Sequence, residues 1–123
     1  MPGVPAFILR RLYVKGSLTN TDTGWSFTLK NSLGSGYAKG MQPLKIDEQE
    51  LPMTSSSFHQ DGQDITFDRV TEETTFGLKM NRSIVISIAG EQLAPGAHKV
   101  WMGFIVPGFG KIGFDFTDEV TIA

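Results

Sequence analysis

Apolar and polar residues alternate along most of this chain, and no stretch of ten or more residues carries an apolar stripe at helical spacing. Strands are therefore expected to carry the fold. Leu12, Val14 and Leu18 share one parity, and Trp25, Phe27 and Leu29 share the other, with the polar segment Asn20-Thr21-Asp22-Thr23-Gly24 between them. That switch predicts a hairpin, because each strand restarts its own alternation after a turn. Asp61-Gly62 lies between two further alternating runs and predicts a second hairpin. Phe76, Leu78 and Met80, then Ile84, Ile86 and Ile88, hold one parity, with a turn expected at Asn81-Arg82. Leu44–Asp47 reads as a short strand, and Pro52 excludes a central-strand position nearby.

The C-terminal third has the strongest pattern. Pro95-Gly96 suits a type II turn, which requires positive φ at its third residue. It launches residues 98–106, where Val100, Met102, Phe104 and Val106 face one way and Trp101 and Ile105 the other. A strand apolar on both faces is either central in its sheet or meets another protein. After Pro107-Gly108-Phe109-Gly110-Lys111, the residues Ile112, Phe114, Phe116, Val120 and Ile122 alternate with Asp115, Thr117, Glu119 and Thr121, which predicts one buried and one wet face. The expectation is an all-β protein, an antiparallel β-sandwich of about seven or eight strands, forming a single domain over residues 1–123. Leu33–Pro43, with its three glycines and closing proline, reads as one long loop.

Composition supports that class and narrows the chemistry. The chain of 123 residues holds 14 Gly and 6 Pro beside 9 Phe and 2 Trp, a mixture of turn-formers and bulky strand residues. No cysteine is present, so disulfides and thiolate metal sites are excluded. Eleven basic against thirteen acidic residues give a net charge of -2 without a basic cluster, which argues against nucleic acid as a partner. Early prolines and the late Arg10-Arg11 pair do not match a secretory signal, and the longest uncharged apolar stretch, Val100–Gly110, is too short for a membrane helix. A cytoplasmic location with no membrane contact is the expectation.

No catalytic constellation is visible. His59 and His98 adjoin turns and read as surface histidines, without the H-x-H or H-E-x-x-H spacing of a metal site. Asp61, Asp64, Asp68, Glu72 and Glu73 do not follow the order of a calcium loop and read as solvated turn and edge residues. Ser55-Ser56-Ser57 lacks the G-x-S-x-G turn, and the Gly34–Gly40 loop fits no phosphate-binding pattern. No catalytic residue, bound metal or cofactor is therefore assigned to this chain. Its contact candidates are Tyr37, Lys39 and Met41 in the glycine-rich loop, Trp101 and Phe104 in the doubly apolar strand, and Phe109 and Lys111 at the following loop. Phe109, flanked by two glycines, has no obvious core to enter.

Phe27–Asn31, the loop containing Tyr37 and Lys39-Gly40, Leu44–Asp47 running into Glu50-Leu51-Pro52, and Leu93–Val100 together resemble the small β subunits of bacterial C-glycoside deglycosidases. That resemblance implies a non-catalytic β-sandwich subunit that stabilises a larger TIM-barrel α subunit and partly covers its active site. In such a complex, a carbon-carbon lyase, the partner holds a divalent metal, manganese being one candidate, and cleaves the bond between an oxidised sugar and its aglycone. Loops at Gly34–Gly40 or Pro107–Gly113 would lie near glycoside substrate at the interface. The alternative is a stand-alone carbohydrate-binding or protein-interaction sandwich, with Trp25, Tyr37 or Trp101 stacking on sugars.

Overall fold

In the computed structural model, which describes residues 4–120, the alternating segments form twelve strands. They are β1 (Thr19–Thr21), β2 (Gly24–Lys30), β3 (Gly36–Ala38), β4 (Gly40–Met41), β5 (Lys45–Ile46), β6 (Gln49–Glu50), β7 (Ser56–Gln60), β8 (Gln63–Thr66), β9 (Phe76–Leu78), β10 (Ser83–Ala89), β11 (Ala97–Val106) and β12 (Gly110–Glu119). One five-stranded sheet has the order β1-β2-β10-β7-β8. A second has the order β12-β11-β5-β6, with β4 also on β11, and β3 pairs with β9 in a small third sheet. Every pairing is antiparallel. The protein is all-β and sandwich-like, and its strands outnumber the expected seven or eight because several are only two or three residues long.

The Asp61-Gly62 hairpin forms where predicted, whereas the first hairpin is shifted: Thr19–Thr21 pairs with the start of β2, so Asn20, Thr21 and Gly24, expected in the loop, are strand residues. Asp61 and Gly62 both adopt positive φ, the backbone of a tight two-residue hairpin, and connect β7 to β8. β10 alternates buried and exposed residues along its whole length, putting Ile84, Ile86 and Ile88 inward. In β12, Phe114 and Phe116 point inward as their parity requires, while the expected positions of Thr121 and Ile122 lie outside the described residues.

Two segments depart from the sequence pattern. Residues Leu12–Leu18 form no strand; the chain before them makes a one-turn helix, α1 (Ala6–Leu9), and a 3-10 turn over Arg10–Leu12. The Pro5 carbonyl accepts from the N–H groups of Ile8 and Leu9, and the buried Leu9 and Leu12 stand three residues apart, a helical spacing too brief to register as a stripe. The Leu33–Pro43 segment is not a free loop, because β3 and β4 within it pair with β9 and β11.

Aromatic rings join the sheets. Trp25 and Phe27 of β2, Phe116 and Phe114 of β12, Phe104 of β11, Phe76 of β9, Phe58 of β7 and Phe67 form an unbroken series with neighbouring centroids 4.8–6.5 Å apart. Such offset and edge contacts add to the burial energy of each ring. At the outer end of β2, the backbone of Gly24 lies so close to β10 that a Cβ there would fall 1.9 Å from the Ile88 carbonyl oxygen. Gly24→Ala should therefore cost about 3 kcal/mol or more, measured as a lowered urea midpoint.

Candidate functional site

A groove of about 470 Å³ opens between α1, the Asn31–Ser35 turn, β3, β9 and the β11–β12 connection. Ile8, Leu12, Leu33, Leu78, Val106 and Ile112 supply much of its wall. Tyr37 and Phe109 also line it while leaving 52% and 48% of their surface in solvent. No Asp, Glu, Lys, Arg or His is among the lining residues.

Asn31 shapes this groove. Its buried side-chain amide donates to the carbonyls of Gly34 and Leu78, and its Oδ1 accepts the N–H groups of Leu33 at 2.9 Å and Gly34 at 3.2 Å. Both amide hydrogens and both oxygen lone pairs are thus engaged within the protein. Ser35 Oγ is likewise engaged, accepting from the Met80 N–H at 2.9 Å. The groove interior consequently offers an occupant hydrocarbon contact and little polar bonding. Nothing in the sequence pattern marked Asn31, because its role depends on β9 arriving from 47 residues away.

The contact candidates divide between four settings. Tyr37 and Phe109 meet at the groove, and Phe104 contributes to its wall from within the core at 4% exposure. Met41 is buried at 5%, packed into the core rather than presented on a loop. Lys39 forms a 3.8 Å ion pair with Glu72, and Lys111 is exposed beside the β11–β12 turn. Trp101 lies elsewhere, on the outer face of the second sheet, in a small depression with Lys45, Glu48, Lys99 and Asp115. Trp25 is only 3% exposed and cannot serve as a stacking platform.

The histidines and carboxylates do not converge on the groove. His59 makes an exposed 2.8 Å pair with Asp64 across the β7–β8 hairpin, and Asp61, Asp68, Glu72 and Glu73 are exposed. Among the described residues, no group of three or more His, Asp or Glu side chains is placed to hold a metal. No helix among them is long and apolar enough to cross a membrane.

His98 is more than a surface histidine. Its Nε2 lies 2.7 Å from the Ala94 carbonyl and its Nδ1 2.6 Å from Asp47 Oδ2. Both partners are acceptors, so making both bonds requires a doubly protonated ring. The Ala94 carbonyl, and then the Asp47 carboxylate, raise the imidazole above its ordinary pKa against the opposing effect of burial. Asp47 is held below the usual carboxylate range by the Lys99 N–H first and His98 second. At the same end of the β11–β12 pair, where Asp118 stands opposite His98, Tyr13 stacks 3.6 Å from Phe116 and donates to Asp118, and burial followed by that bond pushes its phenol up to about 12. Burial alone would raise Asp118, but hydrogen bonds from Gly16 N–H, Tyr13 and Glu119 N–H, aided by Lys15, hold it low.

With this geometry in place, comparison with known families gives a match to hydroxymethylglutaryl-CoA reductase, N-terminal domain, over residues 8–121. The chain belongs to that family. No curated protein matches it. Membership in the reductase N-terminal domain family overturns the resemblance to C-glycoside deglycosidase β subunits, and with it the assignment to a lyase of carbohydrate metabolism. The residues that carried the resemblance are strand-and-turn elements: Phe27–Asn31 falls largely in β2, and Leu93–Val100 is a turn entering β11. Such elements recur in any antiparallel sandwich and do not distinguish one family from another. The barrel-shaped partner and its divalent metal are implied by that resemblance alone.

Because the folded pKa of His98 is raised, its contribution to stability is complete below its unfolded value near 6.5 and is lost as pH rises through the folded value. The urea midpoint should fall as pH rises above the ordinary imidazole range, and His98→Ala should remove that part of the slope. Asn31→Ala, which removes the four side-chain hydrogen bonds that tie the Leu33–Gly34 turn to β9, should cost about 1–3 kcal/mol in the same measurement.

Proposed function

We propose that this protein is a binding module of a reductase-type assembly, and that its groove receives an apolar segment of a larger protein partner. The observation that carries this reading is the groove itself: an open concavity with hydrocarbon walls, an Asn31 side chain whose four hydrogen bonds are all internal, and two half-exposed aromatics, Tyr37 and Phe109. Exposed Tyr and Phe side chains beside a pocket are the kind of anchor that dominates protein association. The family description, an N-terminal domain, further supports a partner drawn from the remainder of a reductase. In this reading Asn31 keeps the Leu33–Ser35 turn in place, and Ile8 and Ile112 supply apolar wall.

The test is association in solution. The purified chain should co-elute from size exclusion with the catalytic region of a hydroxymethylglutaryl-CoA reductase from the same source. Tyr37→Asp combined with Phe109→Asp should weaken that binding by about tenfold or more, with the fold intact because both side chains are half in solvent. Failure to co-elute, or undiminished binding by the double variant, overturns the proposal.

A further inference from the structure

The outer face of the second sheet carries a site of a different kind. Trp101 belongs to β11, where its register partners are Lys45 of β5 on one side and Asp115 of β12 on the other. Its indole lies over Gly103 and Gly113, which face each other across β11 and β12. A Cβ on Gly103 would fall 2.4 Å from Trp101 Cη2, and one on Gly113 would fall 2.7 Å from Cζ2. Glycine inside a strand weakens it, and a mid-strand glycine pair marks a place where something must approach the backbone closely. Here the indole fills that space, joined over Gly103 by the Gln42 side chain, whose Nε2 would lie 2.5 Å from such a Cβ.

Charged groups surround the ring. Lys45 Nζ sits 5.3 Å from the ring centroid, and Lys45, Glu48, Lys99 and Asp115 line the adjacent depression of about 190 Å³. Arg10 already engages Asp115, its Nε donating to the carbonyl oxygen at 2.6 Å and its second guanidinium nitrogen reaching Oδ1 at 3.3 Å. Among the described residues, neither Lys45 nor Lys99 has a carboxylate within ion-pair distance. Two unpaired ammonium groups therefore face one uncommitted carboxylate, Glu48.

The hairpin presenting Lys45 and Glu48 is fixed. Asp47 N–H donates to the Lys99 carbonyl at 2.8 Å, Asp47 Oδ1 accepts the Lys99 N–H at 2.9 Å, and Oδ2 meets His98. The site is thus largely organised before any ligand arrives, which reduces the ordering cost of binding.

We propose that this Trp101 depression binds a planar organic monoanion, an aromatic carboxylate in chemical class. The flat indole offers a stacking face, and the Lys45 contact that shields it is worth only about 0.5–1 kcal/mol at an exposed site. A planar ring displaces that ammonium from above the indole and leaves it positioned, with Lys99, to pair with the ligand's carboxylate. Glu48 disfavours more highly charged anions. The volume is below the ~300 Å³ at which drug-sized pockets begin, so it suits a single ring. This site does not depend on the groove reading, and neither result decides the other.

The decisive measurement is the indole N–H resonance of Trp101 in the full chain, labelled with nitrogen-15 and assigned by its loss in Trp101→Phe. Titration with 4-hydroxybenzoate should shift it saturably while leaving Trp25, buried in the core, unmoved. Methyl 4-hydroxybenzoate, the same ring without the charge, should bind about fivefold or more weakly, and the combined Lys45→Ala and Lys99→Ala variant should lose a similar factor. Both lysines are exposed, so the double variant retains the fold. Absence of a saturable shift, equal binding of the neutral ester or of methyl glucoside, or an unchanged affinity in the double variant overturns the proposal.

Discussion

The structure depends on one continuous contact between aromatic rings. From Trp25 to Phe67 the series passes from the first sheet to the second, through Phe76 of the small third sheet, and back to the first. Without disulfides or a clustered metal site among the described residues, burial of these rings and their aliphatic neighbours must hold the sheets together. Phe104 and Phe76 belong both to this series and to the wall of the apolar groove. The groove is therefore built on the aromatic core, although its rim is drawn from turns. Rigid support beneath a loop-built rim is a common arrangement for a binding surface.

The two candidate surfaces differ in how they are organised. The groove is apolar because its polar groups are consumed internally: Asn31 makes four hydrogen bonds and Ser35 one. The Trp101 depression has an aromatic base and charged walls, and its adjoining hairpin is tied to β11 through Asp47, His98 and Lys99. Stability and recognition are coupled at this second place, since the same hydrogen bonds that anchor a two-residue strand also present Lys45 and Glu48. A histidine bonded to two acceptors is also where the fold responds to proton concentration.

Much of the architecture was legible because β-structure writes itself with period two. The alternation in β10, the Asp61-Gly62 turn and the inward parity of Phe114 and Phe116 identify strands and faces without any knowledge of their partners. The first turn of helix was not legible, since Leu9 and Leu12 alone cannot establish a helical period. β3 and β4 were hidden for a related reason: strands of two or three residues amid glycines are defined by the strands they meet, β9 and β11. The deglycosidase resemblance failed on the same generic elements that made the fold readable, because strand and turn patterns report architecture more directly than family or activity.

By itself, the amino-acid sequence determined the fold class, the main hairpins and the membership of most of the core, all consequences of local alternation and turn chemistry. It also singled out Tyr37, Trp101 and Phe109 as unusual. Only the tertiary structure decided that Tyr37 and Phe109 share one groove, that Met41 and Trp25 are buried, and that Trp101 stands apart on the opposite chemistry of a charged outer face. The reason is physical. A side chain's parity specifies which face of its own strand it occupies, but its neighbours and its solvent exposure depend on strand order, and strand order arises from contacts between residues far apart in the chain.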